Sequence, residues 1–483
     1  MASTEAFSAS ANSETVIAEQ LDYHQKKFAH PTYKYNAQFS NTFGQPLNLG
    51  VSNTPVTINI PPEVMNMSQA YITYSVTLPG VSARFIWYHF QALREISQIQ
   101  WYSGSNMYMV DINNLQNYLD ITIKRETSRD DFLSLDPLLN EVGPSNSVIN
   151  AIPAYRNSNV TLGNVPNGPP NSASINYTEP GYFGVGGAGQ DVTYKVQFPL
   201  RLIKNSMFSC DKDFYFGQTT YLKIYFGPLS KICYTSSLAN NPSGGAKLPY
   251  AGGDLVGVGV NNNARITDFQ LMLPIETNEE IRTMLINKVA TIGLSYMIPY
   301  VQAFKNSNTG GSQNITIQFD IGNGRYLEKV YHSIYNNQED LDTAYDHSNN
   351  QTVAGATNSA ANQKIYQYYT SLNGKRQQDI TLDCTYTGGF LDYLQHRRQL
   401  RGSILSNLDV FHYNWAHADD YCQFSSEYDQ QNSGTLISGL PMNIAPITWA
   451  FVGSSVRPIA FQHYTWAVFV KQLNIKPGMV IVE

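Results

Sequence analysis

The sequence predicts an all-β protein that is built from two tandem β-sandwiches of about eight strands each. In residues 315–321, Ile and Phe alternate with Thr, Gln and Asp, which is the period of a strand with one buried face. A similar alternation begins at Val56 and is followed by a second strand pattern at residues 71–76. The length of 483 residues also exceeds what one hydrophobic core usually serves. These observations predict one β module that is used twice.

Both halves present the same elements in the same order. Each has a strand pair and then a hairpin, which turns at Ser103-Gly104 in the first half and at Asn373-Gly374 in the second. A short amphipathic helix follows, and each half then reaches a strongly β-prone strand, at residues 221–226 or 464–470. Only the loop lengths differ. We therefore interpret the halves as two sandwiches whose long loops gather at one end.

Runs of alternating, β-branched and aromatic residues indicate strands throughout both halves. In the first half they lie at residues 56–60, 71–76, 97–103, 107–112, 192–203, 221–226 and 265–273. In the second half they lie at residues 292–304, 315–321, 331–335, 363–370, 378–384, 447–452, 464–470 and 479–482.

Two short helices are predicted at equivalent places in the two halves, at residues 113–123 and at about 389–401. In the first helix, Leu115, Tyr118 and Leu119 follow the i, i+3, i+4 spacing of an apolar helix face. In the second, three arginines crowd the last turn and a glycine ends it, as the helix dipole and a C-terminal glycine cap favour.

A third helix is predicted to connect the two sandwiches, at residues 276–290. Thr277 and Glu280 have the spacing of a capping box, in which Thr277 is the N-cap. Apolar residues then recur on one face of this helix, which predicts that it packs as a connector: Ile281, Met284, Leu285 and Val289.

The domain organisation follows from these elements and from the polar stretches between them. We expect an N-terminal arm at residues 1–40, a first β domain at 41–275, the connecting helix at 276–290 and a second β domain at 291–483. Stretches rich in Gly, Asn, Ser and Pro predict long loops at about 141–190 and 237–263 in the first domain and at about 337–362 in the second.

The composition favours a protein that packs against other protein. Only 14% of residues are charged, against about 25% in typical soluble proteins, whereas the chain has 33 Tyr and 22 Phe. Tyr combines an apolar ring with a hydrogen-bonding hydroxyl, which suits surfaces buried at interfaces. The net charge of −6 argues against a broad or sequence-specific nucleic-acid-binding face.

Sequence features also bear on the cellular compartment. The four cysteines are scattered and form no CxxC pair, which is typical of a chain made in a reducing compartment. The N-terminus lacks the basic start and apolar stretch of a secretory signal, so we expect synthesis inside the cell without secretion. No apolar run approaches the length of about 18 residues that a membrane-spanning helix requires.

One glycine-rich motif resembles a nucleotide-binding fingerprint. Residues 184–189 match GxGxxG, but no strand pattern leads into them and residues 191–198 after them read as a strand. A dinucleotide site needs a helix there, whose N-terminus holds the pyrophosphate. We therefore expect no nucleotide cofactor.

Candidate catalytic and metal-binding clusters are equally weak. His412, His417, Asp419 and Asp420 resemble a metal-ligand set, but the two histidines are five residues apart and would point to opposite faces of a strand. The paired carboxylates Asp211/Asp213 and Asp340/Asp342 lie beside turns, where solvated charges are the default interpretation. We predict no catalytic, cofactor-binding or metal-binding residues and no enzymatic activity.

Three segments of the second half carry a resemblance to a known family: 327–336 (LEKVYHSIYN), 368–379 (YYTSLNGKRQQD) and 394–403 (LQHRRQLRGS). With the tandem order of elements over residues 40–483, they make the chain similar to the double jelly-roll major capsid proteins of tailless icosahedral double-stranded DNA viruses. Within this family, the sequence most resembles the virophage and polinton-like group, which belongs to the lineage of adenovirus hexon.

The resemblance implies two eight-stranded jelly rolls side by side and a homotrimer of pseudo-hexagonal outline, the capsomer of an icosahedral virion shell. Its implied partners are neighbouring capsomers, penton and minor capsid proteins and, in viruses that have one, an internal membrane. The long loops would form outward towers and intersubunit clasps, and the N-terminal arm would face the interior of the virion.

Two other classes of function stay open at the level of sequence. A tandem β-sandwich protein can bind or cleave carbohydrate, with exposed Trp and Tyr stacked on sugars. A metal-dependent jelly-roll enzyme would use the segment from His412 to Asp420. Only the capsid hypothesis predicts a trimer, so the molecular mass in solution separates it from the other two.

Overall fold

The computed structural model describes nineteen stretches of the chain, and every structural statement below concerns them. They are residues 34–40, 47–48, 55–78, 85–88, 96–126, 182–184, 192–227, 233–236, 247–249, 265–308, 314–319, 325–336, 365–372, 375–376, 382–383, 423–427, 440–442, 447–453 and 461–482.

The described part of the first half consists mainly of strands. They are β1 (Lys34–Ser40), β2 (Leu47–Asn48), β3 (Val56–Ile60), β4 (Met65–Asn66), β5 (Tyr71–Leu78), β6 (Phe85–Tyr88), β7 (Ile96–Ser103), β8 (Tyr108–Asn113), β9 (Tyr182–Gly184), β10 (Val192–Pro199), β11 (Asp213–Phe214), β12 (Thr220–Phe226), β13 (Cys233–Ser236), β14 (Lys247–Pro249) and β15 (Arg265–Glu276). Helix α1 (Leu115–Glu126) follows β8, and short 3-10 turns occupy Met67–Gln69, Leu200–Leu202 and Met207–Ser209.

Helix α2 (Glu279–Thr291) connects the first half to the strands of the second half. Those strands are β16 (Leu294–Asn308), β17 (Asn314–Phe319), β18 (Arg325–Asn336), β19 (Ile365–Leu372), β20 (Lys375–Arg376), β21 (Leu382–Asp383), β22 (Gln423–Glu427), β23 (Leu440–Met442), β24 (Ile447–Gly453), β25 (Phe461–Lys476) and β26 (Met479–Val482).

Two antiparallel sheets of the first half face each other. One contains the strand order β1-β15-β5-β10, with β2, β4 and β11 added at its margins, and the other has the order β3-β12-β7-β8. Tyr74 on β5 contacts Phe226 on β12, with ring centroids 5.5 Å apart, and stacks on Phe269 of β15 at 5.8 Å. Aromatic rings from both sheets thus meet in one core. We call this unit the first sandwich.

The second half repeats this arrangement. One sheet has the order β16-β25-β18-β22 and the other has the order β17-β24-β19-β20. When eight principal strands are numbered along the chain in each half, both halves pair as 1-8-3-6 in one sheet and 2-7-4-5 in the other. The prediction of two sandwiches with elements in the same order is therefore confirmed. We call this unit the second sandwich.

Strand alternation explains why β12 forms where it does. From Thr220 to Phe226 every second side chain is buried, and the residues between them are only partly covered. The hairpins are also confirmed, because β7 pairs with β8 and β19 pairs with β20 across the predicted turns. In β17 the polar residues Thr316 and Gln318 are exposed, as the alternation in residues 315–321 predicts.

Helix α1 is confirmed close to its predicted bounds, and Leu115, Tyr118 and Leu119 are all buried. The connecting helix differs in detail. Its N-cap is Asn278, whose side chain accepts a hydrogen bond from the backbone N–H of Glu280 at 3.0 Å. The prediction that Thr277 is the N-cap was therefore wrong. The predicted apolar face is confirmed only in part.

On α2, Val289 is buried whereas Met284 is 58% exposed. Leu285 also packs against the core, and Ile281 is partly buried, so the predicted face was wrong at Met284.

Two further differences concern segments predicted to lie outside the sheets. Residues 34–40, the end of the predicted N-terminal arm, form β1 and pair along β15, with Ala37 opposite Leu273. The loop stretches 141–190 and 237–263 contribute β9 and β14, which join β6 and β13 in a separate four-stranded sheet. The rest of both loops, the loop 337–362 and the helix predicted at 389–401 lie outside the described residues.

Candidate functional site

The two sandwiches meet at α1, a contact region that we call the junction. On one side α1 packs against β7 of the first sandwich, and on the other it packs against β18 of the second. The Tyr118 ring lies 6.0 Å from the Tyr331 ring, nearly perpendicular to it, and 5.9 Å from the Trp466 ring. All three side chains are buried. The junction is therefore a small aromatic core shared by both halves.

Hydrogen bonds satisfy the polar tips of these aromatic side chains. The Tyr118 hydroxyl donates to the backbone oxygen of Lys204 at 2.7 Å, and the Asn205 amide donates to the Tyr331 hydroxyl at 3.1 Å. Trp466 Nε1 donates to the backbone oxygen of Asn113, at the end of β8, at 3.4 Å. Because each bond joins a ring to a fixed backbone or amide group, the junction has one defined geometry.

A second aromatic contact lies near the connecting helix. Phe214 of β11 and Tyr296 of β16 have ring centroids 4.9 Å apart, and the Tyr296 hydroxyl donates to the backbone oxygen of Asp213 at 3.3 Å. In the described part of the chain, contacts between the sandwiches thus extend beyond the junction.

The outward side of the sheet β3-β12-β7-β8 bears a cluster of tyrosines, which we call the tyrosine face. Tyr102 stacks on Tyr221 with centroids 5.1 Å apart and also contacts Tyr108, which is 40% exposed. Partial burial raises the pKa of Tyr102, and a hydrogen bond to Tyr225 raises the pKa of Lys223.

Two histidines are buried side by side in the second sandwich. The rings of His332 on β18 and His463 on β25 have centroids 4.4 Å apart, and His332 Nδ1 lies 2.8 Å from the Thr465 hydroxyl. Burial lowers the pKa of His332 to about 3, because the charged imidazolium is poorly solvated there.

We expect acid to destabilise the second sandwich through His332. The unfolded side chain takes up a proton near pH 6.5, whereas the folded one stays neutral down to about pH 3. Stability present above pH 6.5 is thus lost as the pH falls, by about 2 kcal/mol between pH 7 and pH 5. Urea unfolding at several pH values measures this loss.

The matched variant is His332→Gln, which keeps a hydrogen-bonding group beside Thr465 but does not titrate. The unfolding free energy of this variant should depend less steeply on pH than that of the wild type. His463 is unchanged in both proteins, so the difference between them reports on His332. Equal pH dependences in the two proteins would contradict the assignment to His332.

Comparison with known proteins supports the architecture. No protein-family model matches the sequence, and no curated protein matches it. Among solved structures, the PBCV-1 virus capsid is 10% identical with a TM-score of 0.55 and covers 94% of this chain and 98% of that one. The Faustovirus major capsid protein is 9% identical with a TM-score of 0.56, covering 93% and 91%. The Sputnik virophage structure solved by cryo-EM is 11% identical with a TM-score of 0.50, covering 94% and 88%.

The fold is a double jelly roll. The likeness extends over more than nine-tenths of the chain, so it includes both sandwiches and not one of them alone. The strand order 1-8-3-6 and 2-7-4-5, present twice, is the internal counterpart of this likeness. The fold expected from the resemblance is thereby confirmed.

Some of the motifs considered above as catalytic or cofactor-binding sites lie within the described residues. Asp211 accepts hydrogen bonds from the Asn66 amide at 2.9 Å and the Ser68 hydroxyl at 3.1 Å. The short strand β9 ends at Gly184, so a strand does lead into the GxGxxG stretch, and that part of the prediction was wrong. The strand β10 follows, where a nucleotide site would need a helix. The cluster from His412 to Asp420 and the pair Asp340/Asp342 lie outside the described residues.

In the residues that the structure describes, no group of three or more His, Cys, Asp or Glu side chains is placed to hold a metal ion. No helix among these residues combines the length and apolar character needed to cross a bilayer. Among the described residues, two features have specific geometry: the junction, which is a buried contact between the sandwiches, and the tyrosine face, which is partly exposed. Sequence reasoning missed both as clusters, although the high Tyr content indicated surfaces of this kind.

Proposed function

We propose that the chain is the major capsid protein of an icosahedral virus and that it forms homotrimeric capsomers that assemble into the virion shell. One observation carries this proposal. Two sandwiches with the same strand order stand in tandem over nearly the whole chain, as in the capsid structures it resembles. Six such sandwiches, from three chains, can form a ring of pseudo-hexagonal outline.

The surface chemistry is consistent with this role. A low content of charged residues reduces the desolvation cost of large interfaces, and tyrosines supply hydrogen bonds as well as apolar area. Sheet edges and exposed sheet faces, which are an aggregation hazard in ordinary soluble proteins, become useful contacts in an assembling one. The tyrosine face is a surface of this type.

We further propose a structural role for each part of the chain. The two β domains at 41–275 and 291–483 would build the capsomer wall, with β1 as an added strand of the first. Residues 1–33 would face the interior, towards minor capsid proteins or an internal membrane where the virus has one. Neighbouring capsomers and penton proteins would be the lateral partners, and the protein would have no catalytic role and no cofactor.

The proposal predicts a specific particle in solution. Size-exclusion chromatography with light scattering should give a mass of about 160 kDa, three times the 54.0 kDa of one chain. Negative-stain microscopy of the same fraction should show a near-hexagonal outline. A monomer that stays monomeric at micromolar concentrations would contradict the proposed capsomer. A glycan array and metal analysis of the same sample would test the carbohydrate-binding and metal-enzyme alternatives.

A further inference from the structure

Helix α2 and the hairpin beside it expose apolar side chains at one place. In the described part of the chain, Ile292 and Met284 are the two most exposed large apolar side chains, at 61% and 58%, and Met479 of β26 is also exposed. The end of α2 lies against this hairpin, because a Cβ atom added to Gly293 would lie 3.5 Å from Lys476 Cγ, and Lys476 pairs with Met479. We call Met284, Ile292 and Met479 the α2 patch. Exposed apolar side chains that lie together indicate a contact surface.

The chain enters the described structure beside this patch. Strand β1 begins at Lys34, which pairs with Glu276 at the end of β15. The Glu276 carboxylate accepts a hydrogen bond from the backbone N–H of Asn278 at 2.8 Å, and Asn278 is the N-cap of α2. Residues 1–33 lie outside the described residues, and they join β1 at the N-terminal end of α2. A segment of this chain is therefore available to cover the α2 patch.

The sequence before Lys34 contains the pattern of an amphipathic helix. Three apolar residues and one histidine follow the spacing i, i+4, i+7, i+11: Ile17, Leu21, His24 and Phe28. This spacing places side chains along one side of a helix. Thr15 precedes the stripe and suits an N-cap, whereas Pro31 ends the pattern, because the residue before a proline disfavours helical backbone. The sequence therefore predicts a helix at residues 16–30, which we call the arm helix.

The dimensions of the two helices match. The 13 residues of α2 extend about 20 Å, and the stripe from Ile17 to Phe28 extends about 18 Å. Residues 31–33, between the arm helix and β1, span at most about 10 Å. This distance is close to the separation of about 8–10 Å between the axes of packed helices. The arm helix therefore reaches along α2 when it runs antiparallel to it, with its last turn beside the first turn of α2.

The charges favour the same orientation. The arm has acidic residues towards its start and basic residues at its end, and α2 likewise has acidic residues in its first turn and a lysine in its last. Antiparallel packing therefore places unlike charges together at both ends, whereas parallel packing would place like charges together. Arg282, between these ends, is paired with Glu63. The charged residues are Glu14, Glu19, Asp22, Lys26 and Lys27 in the arm, and Glu279, Glu280, Lys288 and the exposed Lys476 in the described part.

We infer that the arm helix packs antiparallel on α2 of the same chain and covers the α2 patch with its apolar stripe. The contact lies within one chain, so it holds in a monomer as well as in the proposed capsomer. The opposite side of the arm helix carries Glu19, Asp22 and Lys26, so the surface that it presents beyond α2 is polar. The arm is then a part of the fold, held at the helix that connects the two sandwiches.

Oxidation of Met284 tests this contact. Hydrogen peroxide converts accessible methionines to sulfoxides, and mass spectrometry of peptides measures the rate at each position. We expect Leu21→Asp, which puts a charge in the apolar stripe, to raise the oxidation rate of Met284 at least fivefold. The matched control is Tyr23→Asp, which makes the same charge change outside the stripe and should leave the rate unchanged. The fully buried Met442 provides a reference for an intact second sandwich in each protein.

The outcomes separate the inference from the proposed function. Equal oxidation rates of Met284 in the wild type and in Leu21→Asp would overturn the inference. A photoreactive amino acid at position 284, in a mixture of ¹⁵N-labelled and unlabelled chains, identifies the occupant directly. Cross-links within one chain to residues 16–30 support the inference, whereas cross-links to another chain, or to none of these residues, overturn it. A monomeric wild type with the intrachain cross-links would overturn the proposed capsomer and leave the arm helix in place.

Discussion

Replacing Trp466 by alanine is expected to lower the free energy of unfolding by about 3–5 kcal/mol. The indole is fully buried in the junction, where it contacts Tyr118 and stacks on Tyr464 with centroids 5.8 Å apart. Its removal leaves a cavity between the two sandwiches and breaks the hydrogen bond to the backbone of Asn113. Urea unfolding followed by circular dichroism measures the loss.

The shape of the transition carries further information. With the junction intact we expect the two sandwiches to unfold together, and in Trp466→Ala we expect two separable steps, because the shared aromatic core that couples them is lost. Trp466→Phe is the control, since it keeps a ring beside Tyr118 and loses mainly the hydrogen bond and part of the volume. It should cost less than the alanine variant. A loss below about 1 kcal/mol for Trp466→Ala would show that the junction contributes little to stability.

Gly293→Ala should have the second-largest effect, a loss of about 3 kcal/mol. Gly293 follows α2 with a φ of +87°, and its N–H donates to the backbone oxygen of Lys288 at 2.9 Å. A Cβ atom added there would lie 2.8 Å from the backbone oxygen of Ile475 on β25. Both the positive φ and the approach of a backbone atom oppose any side chain, and neither can be relieved by a rotamer change.

Gly478 provides a matched control. It has a φ of +68°, but a Cβ atom there would meet no atom within 4 Å. Gly478→Ala should therefore cost only the conformational term, about 1 kcal/mol. Thermal unfolding of the two variants separates the steric term from the conformational one. Equal losses would indicate that α2 shifts away from β25 without strain.

Local sequence patterns predicted the elements of this fold well. The alternation in residues 221–226 gives β12, and the spacing of Leu115, Tyr118 and Leu119 gives α1, because both depend on which side of one element is buried. The recurrence of elements in order then predicted two sandwiches. Such patterns report burial, however, and do not identify the partner that causes it.

The junction illustrates this limit. The helical spacing predicts that Tyr118 is an ordinary core residue of an amphipathic helix. In the structure it contacts Tyr331 and Trp466, which are far away in the chain. The extra sheet is another case, because β9 and β14 have three residues each and are too short to show a period. Their pairing depends on β6 and β13, which come from other parts of the chain.

The junction has a consequence for the concentration at which shells can form. In the proposed ring of six sandwiches, three contacts lie within chains and three lie between them. The contacts within chains form at an effective concentration of about 1 mM, as for other short linkers, whatever the total protein concentration. Capsomer formation then depends on the third power of chain concentration, whereas separate sandwiches would give the sixth. Under the proposed function, a tandem chain would therefore begin assembly at a lower protein concentration than two separate sandwiches would.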